Sequence, residues 1–138
     1  MTETEFRVEY SRLIEYYQYI EMRLRFLCAE ILTDNENDWF LKLADFETDP
    51  FGALIKRVQT LQDQKQIKAI SQDDFNGLNE LRLARNYWVH QVFAGDYHVT
   101  FNKRGEVKNP DYEKRLRSDF FKAEKWDEKL TIICQSFR

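Results

Sequence analysis

Within 138 residues, the side chains best suited to moving protons beside a bound anion gather between positions 82 and 90. Arg82, Asn86 and His90 fall at i, i+4 and i+8, the spacing that aligns side chains along one stripe of an α-helix. Arg85 stands one step beside Asn86 and three from Arg82. A guanidinium presents a planar fork of donors matched to phosphate oxygens. An imidazole is the side chain that trades a proton near neutral pH. Asn86 can fix the tautomer of a neighbouring imidazole or donate to a phosphate oxygen. Proton transfer next to a phosphate is the chemistry this set suits, and none of it requires a metal. Tyr87 and Trp88, between them, read as core or interface rings, with Tyr87 also able to stack on a planar ligand.

A helix must carry these groups, and the chain around them reads as helical throughout. Phe6, Tyr10, Leu13, Tyr17, Ile20, Leu24, Leu27 and Ile31 alternate in steps of four and three, which predicts one long helix over 3–33 with a bundle-type seam. Glu9, Arg12, Glu21, Arg23 and Glu30 are assigned to its opposite face. Trp39, Phe40, Leu43 and Phe46 suit a short helix or irregular cap over 36–47. Asp49-Pro50 reads as a capping acid with proline at the first helical position, opening a helix over 50–69 whose inner face holds Phe51, Leu54, Ile55, Val58 and Leu61. Ser71 and Asp74 have capping-box spacing and begin the motif helix, which carries Phe75, Leu78, Leu81, Ala84, Trp88, Val89 and Val92 towards Gly95. Periodicity fails over 95–109, expected to be a loop or small hairpin, with His98 a loop residue. Pro110 then opens a last helix over 110–136, with Leu116, Phe120, Ala123, Leu130, Ile133 and Phe137 inward. The expectation is an all-α single domain over 1–138: an up-down four-helix bundle with a short extra helix or cap.

Composition agrees. The chain is 43% hydrophobic and 15% aromatic with four Gly and two Pro, which argues against disorder and against a turn-rich sheet protein. The acidic, polar start MTETEFRVEY and the lack of a long uncharged apolar run predict neither a signal peptide nor a membrane span, so the cytoplasm is the expected compartment. Cys28 and Cys134 each sit on an apolar stripe and read as reduced core thiols. Two Cys and two His without paired spacing predict no zinc site and no cofactor. The net charge of −3 excludes a generally basic nucleic-acid binder. Residues 1–50 hold five Lys/Arg against twelve Asp/Glu, whereas 101–138 hold ten against seven. A local basic groove in the second half is compatible with that distribution.

The string Arg85-Asn86-Tyr87-Trp88-Val89-His90 resembles the R-x-x-x-x-H signature of HEPN domains, in the form with a polar residue after the arginine. Its place on the penultimate long helix of a four-helix domain is similar too. The resemblance implies a homodimer with both motifs lining one cleft, and a metal-independent endoribonuclease of the kind used as a toxin or phage-defence effector. His90 would be general base on a ribose 2′-hydroxyl, Arg85 would hold the scissile phosphate, and Asn86 would position either. Arg82 and Tyr87 would contact RNA. Family toxins paired with a nucleotidyltransferase antitoxin often carry a tyrosine two residues after the histidine, and here that residue is Val92, so an antitoxin of another kind is the expected protein partner. The family also includes non-catalytic modules that bind RNA or proteins, which is the alternative. A plain helical dimerisation protein is a third.

Overall fold

The computed structural model describes residues 1–33, 36–94 and 99–137. It is all-helical, with α1 Glu3–Leu32, α2 Glu36–Ala44, α3 Phe51–Gln64, α4 Gln72–His90 and α5 Pro110–Gln135. The central element is α1, which packs against each of the other four, most extensively against α5. Its predicted seam is buried at Phe6, Leu13, Tyr17, Ile20, Leu24, Leu27 and Ile31, and these side chains join one hydrophobic cluster with residues of α3, α4 and α5. Thr2 caps α1 through a reciprocal capping box with Glu5, satisfying amides that the first turn leaves open.

The structure departs from the sequence reading in four places. Glu21 and Arg23 do not lie on an outward face of α1. The Glu21 side chain is 15% exposed and ion-paired to Arg85, and Arg23 faces Asp127 of α5; each inward charge has an opposite charge to offset its desolvation. Asp49 does not cap α3. Pro50 occupies the cap position without a side-chain bond, and the Asp49 carboxylate sits 3.3 Å from Arg57. α3 stops at Gln64 rather than at 69, because Gln66 adopts a positive φ of 55°. The Gln62 side chain then pins the following segment by donating to the Ile70 carbonyl at 2.8 Å and accepting from its amide at 3.1 Å.

The fourth departure is at the end of α4, which stops at His90. Val92 is buried beyond that end, within a turn. Residues 95–98, including His98, lie outside the described residues. After them Phe101 and Val107 form an antiparallel bridge, and Thr2 bridges to Glu106. Gly105 takes a φ of +73° in the intervening turn, a conformation that glycine adopts without steric cost. The Asn102 side chain accepts from the amides of Arg104 and Glu106. This segment is therefore a small hairpin. Pro110 sits in the first turn of α5, as expected from sequence, and Asn109 caps that helix.

Among the described residues no helix is long and apolar enough to cross a membrane. Cys28 and Cys134 are buried; the Cys134 thiol donates to the Arg23 carbonyl at 3.5 Å, and burial pushes the Cys28 thiol up to about 12.

Candidate functional site

The motif residues share one helix but not one direction. At ~100° per residue, Arg85 and His90 are separated by about 140° around the axis. Arg85 falls on the side of Leu78 and Leu81, which are buried. There its Nη2 lies 3.1 Å from Oε1 of Glu21 on α1, and its Nη1 donates to Oδ1 of Asn86 at 3.4 Å. The side chain remains 27% exposed. Glu21 is also 3.7 Å from Arg25, so one carboxylate stands against two guanidiniums. Arg25 in turn donates to the carbonyls of Phe46 and Asp49, fixing the link between α2 and α3.

Arg82 turns elsewhere. Its aliphatic stem lies against Gly52 of α3, where an added Cβ would meet its Cδ at 3.1 Å. His90 is exposed at the last turn of α4, with no hydrogen bond or ion pair among the described residues. The predicted set thus divides: Arg85 and Asn86 touch, Arg82 lies along α3, and His90 stands in solvent. Asn86 and His90 are i and i+4, and Tyr87 and His90 are i and i+3, so both are surface neighbours of the histidine.

Tyr87 leads to groups that the sequence reading did not single out. The Arg115 guanidinium of α5 lies 3.4 Å from the centroid of its ring. Burial raises the Tyr87 phenol above its ordinary pKa, with Arg115 acting in the opposite direction. Behind this pair, Trp88 donates its indole N–H to Oδ2 of Asp119 at 2.7 Å, and Arg115 Nε is 3.6 Å from the same oxygen. The Trp88 carbonyl, left open by the helix end, accepts from Tyr10 at 3.0 Å. Tyr17 is buried close by, its hydroxyl without a hydrogen-bond partner among the described residues. Burial first, and the Asp119 charge second, raise its pKa. Tyr87, Asn109, Asp111, Tyr112 and Arg115 together line an open groove of about 240 Å³.

No family model, no curated protein and no solved structure matches this chain. The site therefore rests on its own geometry. Sequence signals existed for its missing members. Glu21 follows Tyr17 by four and precedes Leu24 by three, and Asp119 follows Leu116 by three and precedes Ala123 by four. A lone acid on an apolar seam signals a buried partner. Among the described residues no group of three or more His, Cys, Asp or Glu is gathered as a metal site would require.

Proposed function

We propose that two copies of this chain form a metal-independent endoribonuclease of HEPN type, with α1, α3, α4 and α5 as its up-down bundle and α2 as a cap. One observation carries the reading: His90 is exposed at the end of α4, whereas Arg85 of the same helix is aimed about 140° away and oriented by Glu21. A single protomer does not turn both at one phosphate. A second copy supplies the missing group, so that His90 of one chain works with Arg85 of the other.

In such a cleft His90 takes the proton of a ribose 2′-hydroxyl. The 2′-oxygen attacks phosphorus, the bond from phosphorus to the 5′-oxygen breaks, and that oxygen takes a proton from solvent water as it leaves, while His90 gives its own proton back to solvent. The product strand ends in a 2′,3′-cyclic phosphate. Arg85 holds the charge that builds on the phosphoryl oxygens, and Asn86, already touching Arg85, keeps it in place. A cytoplasmic toxin or phage-defence effector, held in check by an antitoxin protein, is the biological role this chemistry fits.

Mixing the two single variants tests the shared site. Arg85→Ala and His90→Ala chains are each inactive alone, and their mixed dimer contains one intact site, so a mixture should recover roughly a quarter of wild-type cleavage. No recovery from well-folded mixed dimers would overturn the shared site. A second reading, a non-catalytic RNA- or protein-binding module, is favoured by one feature: the Arg85 charge is already met by Glu21.

A further inference from the structure

The groove beside Tyr87 has a chemistry of its own. Tyr87, Tyr112 and Arg115 line it, and the central carbon of the Arg115 guanidinium lies 3.4 Å from the centroid of the Tyr87 ring. This cation over an aromatic ring is held from behind, since Arg115 is 3.6 Å from the buried Asp119 that also accepts from Trp88. At about 240 Å³ the groove is smaller than the roughly 300–1,000 Å³ of sites for drug-sized ligands. It has room for one planar ring system.

A phosphate suits it poorly. The Asp111 amide is taken by the Asn109 side chain at 3.0 Å, and the Tyr112 amide by the Asn109 carbonyl at 3.2 Å. The start of α5 thus lacks the open amides that anion binding uses. Asp111 and Glu113 also place negative charge in that first turn. Stacking surfaces with an exposed carboxylate instead suit a flat group that presents N–H donors. Guanine offers two adjacent donors on its pairing edge, N1–H and the 2-amino group, matched to the two oxygens of one carboxylate.

We infer that this groove is a base-binding subsite for a guanine of single-stranded RNA, with Tyr112 and the Arg115 guanidinium, itself backed by Tyr87, stacking the ring and Asp111 accepting from its pairing edge. The inference rests on the RNA reading above. His90 follows Tyr87 by three residues, one helical turn away on the same surface, so a base seated here lies beside the proposed proton acceptor. The subsite would make cleavage selective for position relative to a guanosine.

The test uses the His90→Ala chain, so that no RNA is cut, and two fluorescein-labelled octaribonucleotides: all-uridine, and uridine with one central guanosine. Fluorescence anisotropy should show the guanosine oligonucleotide bound about tenfold more tightly. Asp111→Asn, at an exposed position, should bring the two affinities together while circular dichroism stays unchanged. Replacing guanosine by inosine, which lacks the 2-amino group, should remove most of the preference. Equal binding of both oligonucleotides would overturn the guanine subsite and leave the RNA reading standing. No binding of either would overturn both.

Discussion

The indole N–H of Trp88 on α4 donates to Oδ2 of Asp119 on α5 across 2.7 Å, in the protein interior. That bond joins the motif helix to the last helix, and the same carboxylate holds Arg115 at 3.6 Å. It fixes the rotation of α4 about its axis, and with it the directions in which Arg85, Tyr87 and His90 leave the helix.

Asp119→Ala leaves a buried indole donor and a guanidinium without their acceptor. The expected loss is about 2 kcal/mol of unfolding free energy, measured by urea titration. Asp119→Asn keeps a carbonyl acceptor for the indole and should lose less. An Asp119→Ala chain as stable as wild type would refute the link.

The Glu21–Arg85 pair spans α1 and α4 with side chains 15% and 27% exposed. Partial exposure limits its worth, so a double-mutant cycle of Glu21→Gln with Arg85→Met should give a coupling of about 1 kcal/mol. The free energies come from urea unfolding of the four chains. Zero coupling would show that Arg85 is not oriented by Glu21.

Stability should fall at alkaline pH. Burial raises the Cys28 thiol from its ordinary 9.0 to about 12, and raises the Tyr17 phenol above its ordinary 10.0. Both groups keep their protons in the folded chain at pH values where the unfolded chain releases them. The unfolded state then binds fewer protons, and the unfolding free energy decreases as pH rises. These two groups contribute in full below pH 9 and lose their contribution progressively above it, the thiol until about 12. Urea midpoints at pH 7, 9 and 10.5 check this, and a midpoint unchanged at 10.5 would contradict it.

Much of this arrangement is legible in the residues themselves. The four-three spacing from Phe6 to Ile31 gives α1 and its buried seam, and Pro110 gives the start of α5. The six residues from Arg85 to His90 mark the candidate site, and α4 carries them all. Their directions were less legible, because spacing along one helix does not say which neighbour each side chain meets. Arg85 turns inward because α1 presents Glu21, and Arg82 lies along α3 because Gly52 leaves room for its stem. Arg115 reads as one more cation in a basic run, and only the packing of α5 on α4 sets it over Tyr87. The end of α3 was obscured because Gln66 gives no local signal of a positive φ. Tertiary partners decide these points, and local pattern does not encode them.

The central claim is that His90 and Arg85 cleave RNA without a metal. Its most direct measurement is the cutting of a labelled single-stranded RNA in EDTA by wild type, His90→Ala and Arg85→Ala, with product ends identified by mass. Wild type should cut and leave 2′,3′-cyclic phosphates, and each variant should be slower by about 10²-fold or more. Undiminished cutting by both variants, or no cutting by a wild-type chain that still binds the RNA, would contradict the account.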